Sequence, residues 1–365
     1  MVKFFDIYEQ DKVNFHKNIS DFKSIVKKTN FINGKQVHEF EKNFARFCNT
    51  KYAVGCNSGS DALFLSLKAL NLRENSEVII PAQTYCSTLF SVIRAGLKPV
   101  LVDIQNFNPT ISIDEIKKKI TNKTSAIIIV HLYGECCNFK KLKKIINKKK
   151  IYIIEDAAQA HGARDFSSQK KGILAGSMGI LGCFSFYPGK NLGAYGDGGA
   201  ITTNSKSLYV KLLKLRNLGG IKKYEHDIVG FNSRLDTIQA AILNNKLKSL
   251  NKNNYKRLQI ARFYNKYINN KYIEKVNYSK GCVYHQYVIL SKKEKKIIKI
   301  LKKNKIQYGK HYPQPLHKLK AVKKIFRNKS FPNAEKFSKY GISLPIDPNL
   351  KKNHLIKICK VLNSL

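Results

Sequence analysis

From about residue 35 onward, stretches with helical spacing of apolar residues alternate with short, continuous apolar runs. Segments 38–48 and 58–70 have helical spacing, and Ser58 is a suitable N-cap for the second. The short runs are typical of strands buried on both faces, and they fall at 52–56, 78–80, 99–103, 126–131, 151–155, 182–186 and 200–203. This alternation predicts an α/β fold with a mainly parallel seven-stranded sheet between helices.

The pattern changes near residue 245, where a long helix rich in Lys and Asn begins. A strand over 283–290, a helix over 292–304 and a last helix ending near Leu362 follow. We therefore predict a large α/β domain over residues 1–245, including an N-terminal arm, and a smaller C-terminal α+β domain over residues 246–365.

The charge is strongly positive, with 67 Lys and Arg against 24 Asp and Glu and a net charge of +43. Such a surface favours anionic partners. Only nine of the basic residues are Arg, however, and the Lys residues are scattered through solvent-facing helical runs. Proteins that grip phosphate closely favour Arg. No helix-turn-helix, zinc spacing or aromatic-basic interleaving accompanies the charge, so we expect no nucleic-acid partner.

The eight Cys include no Cys-x-x-Cys pair, so we expect no metal site. The N-terminal residues acquire charge too early for a signal peptide. No apolar run has the length of a membrane helix, so no membrane insertion is expected. These features predict a reduced, cytoplasmic protein.

Candidate chemistry begins with Asp156, which follows the buried strand at 151–155. Ligands bind at the carboxyl ends of strands in open α/β sheets, although Asp is also a common helix N-cap. Lys190 favours the functional interpretation, because it lies in a glycine-rich turn away from the solvated Lys runs. Pyridoxal phosphate (PLP) needs a Lys for its Schiff base and a carboxylate for its pyridine nitrogen. We expect the nearby positive charge to lower the pKa of Asp156.

A phosphate-binding cradle is predicted where segment 58–63 begins a helix, because free N–H groups and the helix dipole attract anions there. Gly59 and Ser60 lie at this point, and the hydroxyl of Ser185 could join them. Tyr85 could stack on the pyridine ring. Each has a plainer alternative, since Ser60 could only cap the helix and Tyr85 could only fill the core.

These motifs together resemble the DegT/DnrJ/StrS family of PLP-dependent nucleotide-sugar aminotransferases, nearly end to end. The matching segments include EDAAQAHG, SFYPGKNLGAYGDGG, GFNSRLD, VYHQYVI and HYPQPLH. The resemblance implies the aspartate-aminotransferase-like fold (PLP fold type I). One departure is GECC at 134–137, where relatives often carry Gly-Gln-Pro; it leaves the packing of this loop open.

The resemblance also implies roles for single residues. Lys190 would carry the cofactor as a Schiff base and act as general acid and base, and Asp156 would pair with the pyridine nitrogen. The cofactor would cycle between PLP and pyridoxamine 5'-phosphate. The other implied cofactor contacts are Gly59, Ser60 and Ser185 at the phosphate, Tyr85 and Gln159 at the ring, and Asn232 reaching the partner subunit's cofactor. A homodimer with shared active sites follows from this last role.

For the substrate, the resemblance implies a nucleotide-diphosphate keto-sugar, with L-glutamate as the amino donor. The sequence around Lys190, SFYPGKNLGAYGDGG, resembles that of family members that act at C3 of dTDP-3-oxo-6-deoxyhexoses. A C4 aminotransferase for a UDP- or GDP-linked sugar is the alternative, and a non-catalytic sensor is a more remote one. Candidate substrate contacts are His161, Tyr187, His311 and Tyr312, although His161 could equally be a packed core histidine.

Overall fold

A computed structural model describes residues 1–147, 149–222 and 224–365. Its large sheet has seven strands in the order β1-β9-β8-β5-β4-β2-β3. Pairing is parallel from β8 through β5, β4 and β2 to β3, and β9 alone runs antiparallel to both its neighbours. The strands are β1 Tyr52–Cys56, β2 Glu77–Pro81, β3 Lys98–Val102, β4 Thr124–Val130, β5 Tyr152–Asp156, β8 Leu181–Ser185 and β9 Gly199–Thr203. The predicted mainly parallel seven-stranded sheet is confirmed.

Helices cover both faces of this sheet, as alternation of side chains along buried strands requires. Ile128 on β4 points into one hydrophobic core and Ile129 into the other. The first core is covered by α4, α5 and α8, and the second by α3, α6, α7 and α9. The bounds are α3 Lys35–Phe47, α4 Gly59–Ala69, α5 Cys86–Arg94, α6 Ile113–Lys119, α7 Phe139–Ile146, α8 Lys206–Arg216 and α9 Thr237–Leu247.

A second, smaller layer lies toward the C-terminus and has its own hydrophobic core. Its antiparallel sheet has the order β10-β11-β12, with helices packed against it. The elements are α10 Leu250–Tyr267, β10 Glu274–Lys275, β11 Tyr287–Leu290, α11 Glu294–Lys303, α12 Pro332–Tyr340, β12 Gly341–Leu344 and α13 Lys352–Asn363. The observed strand β11 is shorter than the predicted strand over 283–290. Backbone N–H groups of Val283, His285 and Gln286 bond instead to the carbonyls of Tyr133 and Gly134.

The remaining elements are short or lie near the N-terminus. They are α1 Ile7–Asp11, α2 Phe15–Lys27, β6 Arg164–Asp165 and β7 Ile173–Leu174. Near the predicted domain boundary, α9 packs on α2 and α3 of the large domain, whereas the next helix, α10, packs on α13 of the smaller layer. Val2, near the N-terminus, also packs in the smaller core, although the prediction assigns it to the large domain. The domain division at residue 245 stays a prediction. Within the described ranges, no helix is both long and apolar enough to cross a bilayer.

Candidate active site

A cavity of about 500 Å³ opens where several parallel strands of the large sheet end. Val130 ends β4, Asp156 ends β5 and Ser185 ends β8, and all three line the cavity. The carboxyl ends of parallel strands are where open α/β sheets bind ligands. A cavity of this volume is in the range that small-molecule sites occupy.

Lys190 reaches the cavity from a tight turn that follows β8. Its N–H donates to the carbonyl of Tyr187 at 2.9 Å. The turn depends on Gly193, where a Cβ atom would lie 2.3 Å from the carbonyl oxygen of Pro188. Among the described residues, the amine of Lys190 has no hydrogen-bond acceptor. Burial lowers its pKa to about 8, and the charge of Asp156 opposes this shift. An amine with this pKa is available as a nucleophile and base near neutral pH.

Asp156 lies at the floor of the cavity, with 6% of its surface exposed. Thr88 on α5 donates to its Oδ2 atom at 2.8 Å, and the N–H of Ala158 donates to Oδ1 at 3.2 Å. Burial raises the pKa of Asp156, while these two hydrogen bonds and the charge of Lys190 lower it. The expected lowering by positive charge is therefore outweighed, because removing a carboxylate from water costs more than these contacts return.

An anion cradle lies at the N-terminus of α4. Ser58 caps the helix by accepting from the N–H of Asp61 at 3.1 Å. The first N–H groups of a helix have no intrahelical acceptor, so those of Gly59 and Ser60 remain for a ligand. Gly59 is required by close packing, since a Cβ atom there would lie 2.5 Å from that of Ser185. The predicted cradle residues Gly59, Ser60 and Ser185 thus meet at one place.

Gln159, Tyr312 and Tyr85 form a connected wall of the cavity. Gln159 accepts from the N–H of Tyr133 at 2.7 Å, and its amide donates to the hydroxyl of Tyr312 at 2.9 Å. The ring of Tyr312 lies 5.5 Å from that of Tyr85, centroid to centroid. Sequence elements more than 200 residues apart are therefore brought together, as the resemblance implied.

His311 and Tyr187 also line the cavity. The ring of His311 is held by Ser343, whose Oγ lies 2.7 Å from its Nδ1 atom. Burial, with a contribution from the charge of Lys190, lowers the pKa of His311 to about 4, so the imidazole is neutral near pH 7. Tyr187 stands at the mouth, with 58% of its surface exposed.

Two residues proposed from the sequence lie elsewhere. His161 is fully buried against Phe184 and Phe186, with ring centroids 5.4 and 5.7 Å apart, and it does not line the cavity. Of the two alternatives for His161, a substrate contact or a packed core histidine, the structure shows the packed core histidine. Asn232 is exposed and lies outside this chain's own cavity. Its predicted contact with a partner subunit stays a prediction.

Sequence reasoning missed several lining residues. His285 and Gln286 enter from the extended segment before β11, and Phe4 and Phe5 enter from the N-terminus. Burial and the charges of nearby cationic groups lower the pKa of His285 well below its usual value. The Oε1 atom of Gln286 has no hydrogen-bond partner among the described residues. His285 and Gln286 fall in the matched segment VYHQYVI, which was a usable signal; nothing local marks the N-terminal pair.

The fold and the site together define a PLP-dependent enzyme of fold type I, in which a lysine and a carboxylate face one cavity beside an anion cradle. A family model confirms this class. Residues 14–363 match the DegT/DnrJ/EryC1/StrS aminotransferase family, and the chain belongs to it. The predicted family, fold class, PLP cofactor and enzyme class are confirmed.

Individual relatives are similar over nearly the whole chain. The dTDP-3-amino-3,6-dideoxy-alpha-D-galactopyranose transaminase of Aneurinibacillus thermoaerophilus is 40% identical over 368 residues, covering 100% of this chain and 99% of the relative. The pleiotropic regulatory protein of Geobacillus stearothermophilus is 36% identical, covering 94% and 92%. Other relatives, 32–36% identical, are named for UDP-linked sugars and as a GDP-perosamine synthase.

A solved structure extends the likeness to three dimensions. Superposition on S. venezuelae DesV, determined in complex with a ketimine intermediate, gives a TM-score of 0.94 at 33% identity. The match covers 100% of this chain and 98% of that one.

Proposed function

We propose that this chain transfers the amino group of L-glutamate to C3 of a dTDP-linked 3-oxo-6-deoxyhexose, giving a dTDP-3-amino-3,6-dideoxyhexose. The observation that carries the proposal is the meeting of Lys190 and Asp156 in one cavity. A nucleophilic amine and a buried carboxylate are the two groups that PLP chemistry requires of a protein.

The residues of the cavity fit the cofactor. We assign the phosphate to the N–H groups of Gly59 and Ser60 and the hydroxyl of Ser185, where packing leaves no room for a Cβ atom at Gly59. Asp156 would pair with the pyridine nitrogen, and Gln159 and Tyr85 would contact the ring. When bound, the cofactor supplies an electron sink for charge that develops at the substrate carbon.

Lys190 would move the proton in both halves of the reaction. When Lys190 is not attached to the cofactor, its pKa of about 8 leaves part of the amine unprotonated at physiological pH, so it can take a proton. The resulting ammonium form can then return a proton. The bonds from Thr88 and Ala158 and the charge of Lys190 favour the carboxylate form of Asp156 and oppose burial, which raises its pKa. The neutral ring of His311 and the hydroxyl of Tyr312 would orient the sugar by hydrogen bonding, and Tyr187 would contact it at the mouth.

The choice of a C3 keto-sugar rests on the name of the relative from A. thermoaerophilus, a dTDP-3-amino-3,6-dideoxy-alpha-D-galactopyranose transaminase, and on the sequence motif around Lys190. The second candidate is amination at C4 of a UDP- or GDP-linked sugar, favoured by the relative named GDP-perosamine synthase. We further propose a homodimer in which Asn232 reaches the cofactor of the partner subunit. The cytoplasmic location and the absence of a nucleic-acid partner remain predictions.

One experiment decides between the two regiochemistries. Purified enzyme is incubated with L-glutamate and, in parallel, with 3-keto and 4-keto dTDP-, UDP- and GDP-sugars, and the position of nitrogen in the product is read by NMR. We expect nitrogen at C3 of the dTDP-sugar. Nitrogen at C4 would replace the proposal with its alternative, and a UDP- or GDP-sugar used more efficiently than the dTDP-sugar would overturn the choice of nucleotide.

The relative named as a regulatory protein keeps a non-catalytic role as a third possibility. A sensor would need no amine transfer, so L-glutamate would leave the visible absorbance of its Schiff base unchanged. We expect glutamate to bleach this band as the amino group enters the cofactor.

A further inference from the structure

Glu135 is a buried carboxyl group that the proposed mechanism does not use. It lies in the segment GECC, whose packing the sequence left open, and only 3% of its surface is exposed. The N–H of Ser279 donates to its Oε2 atom at 2.8 Å, and the hydroxyl of Ser279 donates to the same atom at 3.0 Å. Proteins seldom bury a carboxyl group so completely without a cationic partner, because removing its charge from water is costly.

Ser279 belongs to a strap, which we define as residues 277–286. The strap lies along the turn at 133–135, which contains Glu135. Its backbone is bound to this turn by two N–H to carbonyl bonds, from Val283 to Gly134 at 3.1 Å and from His285 to Tyr133 at 2.9 Å. The contact between Ser279 and Glu135 is a further attachment of the strap to the same turn, made by a side chain that can ionise.

The strap ends in the cavity, which His285 and Gln286 line. The Nδ1 atom of His285 lies 3.2 Å from Oδ1 of Asn191. The amide nitrogen of Asn191 donates to Asn254 and to the carbonyl of Val283, so its oxygen accepts from the ring. Burial lowers the pKa of His285 well below its usual value, so the ring is neutral and its other nitrogen remains an acceptor. The position of this acceptor in the cavity depends on the strap.

The surroundings of Glu135 favour its protonated form. Burial raises its pKa to about 7, and the bonds from Ser279 oppose this shift only in part. Asn108 adds an uncharged amide, and the described part of the chain places no ion-pair partner against the carboxyl group. The titratable groups that face it are three thiols and a phenol, those of Cys136, Cys137, Cys282 and Tyr284. Burial raises the pKa of each of these four groups, so all of them are neutral between pH 5 and pH 8.

We propose that Glu135 is a positioning residue, which holds His285 and Gln286 in the cavity through the strap and holds them less firmly once it is charged. The strap can be followed without any substrate, whereas the effect on substrate use rests on the proposed function.

The direction of the pH dependence follows from linkage. Opening of the strap returns the carboxyl group to water, where a glutamate has a pKa of about 4.3. The closed strap therefore keeps its full stability below about pH 4, loses it as the pH rises through the higher pKa of the buried group, and changes little above that.

Hydrogen–deuterium exchange of the PLP-loaded enzyme, read by mass spectrometry at pH 5 and pH 8, measures opening of the strap. Comparison of variants at one pH cancels the effect of pH on exchange itself. Glu135→Gln keeps an acceptor for Ser279 but cannot ionise. Relative to this variant, we expect exchange of the strap in the unaltered enzyme to rise about tenfold or more from pH 5 to pH 8.

Two further variants frame this measurement. Glu135→Ala removes the acceptor, so its strap should exchange fast at both pH values. Glu39→Gln, on an exposed face of α3, is the matched control and should behave as the unaltered enzyme does.

The substrate readout is the concentration of L-glutamate that gives a half-maximal rate of loss of the Schiff-base absorbance. At pH 8 we expect Glu135→Gln to need about threefold less L-glutamate than the unaltered enzyme, a change within the range of one neutral hydrogen bond. The maximal rate should change little, because neither Lys190 nor Asp156 contacts Glu135. At pH 5 the two enzymes should need the same concentration.

Equal pH dependence of strap exchange in the unaltered enzyme and Glu135→Gln would overturn the inference, as would fast exchange of Glu135→Gln at pH 5. It would also be wrong if the strap loosens while both enzymes need the same L-glutamate at pH 8, since the strap would then not position the site. Failure of the unaltered enzyme to react with L-glutamate would refute the proposed function instead. The exchange data would still decide whether the charge of Glu135 controls the strap.

Discussion

The floor and the rim of the cavity are held by different kinds of interaction. At the floor, Asp156 is buried and hydrogen-bonded to Thr88 and to backbone. Its neighbour Glu155 accepts from the N–H groups of Met178 and Gly179, each at 2.7 Å. At the rim, exposed rings stand on loops and on the N-terminal arm. The contrast indicates that the floor fixes the groups that react, whereas the rim offers contacts that depend on the substrate.

The strongest test of this contrast removes the amine at the floor. We expect Lys190→Ala to lower turnover by at least about a thousandfold, because it removes both the cofactor attachment and the general base. The measurement is product formation from L-glutamate and keto-sugar, with loss of the Schiff-base absorbance. Lys357→Ala, on an exposed face of α13, is the control and should be fully active. Substantial turnover by Lys190→Ala would refute the assignment.

Neutralising the carboxylate at the floor should have the next largest effect. We expect Asp156→Asn to reduce kcat about a hundredfold or more, the scale of losing one preorganised electrostatic contact. The fold should persist, because Asn occupies the same volume and its amide oxygen can still accept one of the two hydrogen bonds that Asp156 receives. Circular dichroism and thermal unfolding check the fold, and steady-state kinetics check the rate. Near-normal turnover would mean that the ring nitrogen has another partner.

The lowered pKa of Lys190 predicts how cofactor attachment depends on pH. Only the neutral amine attacks, so the rate at which apo-enzyme binds PLP should rise about tenfold from pH 7 to pH 9 and then level off. A lysine of ordinary pKa would keep accelerating beyond pH 10. Stopped-flow absorbance measures this rate. A profile still rising steeply at pH 10 would show that burial does not lower the pKa of the amine.

Local patterns predicted single elements, whereas long-range assembly was predicted only where the resemblance to a family covered it. The strand before Asp156 and the cap at Ser58 are marked by neighbouring residues, so both could be placed. Phe5 could not, because its place depends on backbone bonds to residues some 300 positions away. His161 shows that local sequence can also mislead. A histidine beside a glycine fits either a binding site or a packed core, and the sequence alone could not decide between them.

Thr88 allows the smallest and most selective test of the floor, because it contacts Asp156 and is placed by α5 one turn after Tyr85. We treat it as a positioning residue. Its hydrogen bond favours the charged carboxylate, so Thr88→Val should raise the pKa of Asp156 further. The acidic limb of the kcat profile should then move to higher pH. At neutral pH we expect about a fivefold loss of kcat, a part of what one hydrogen bond to a charged group contributes. Thr88→Ser should restore both the rate and the profile. A loss of thermal stability with an unmoved acidic limb would instead show that Thr88 only fills space, and Asp156 would then be stabilised as a carboxylate by the N–H of Ala158 and the charge of Lys190.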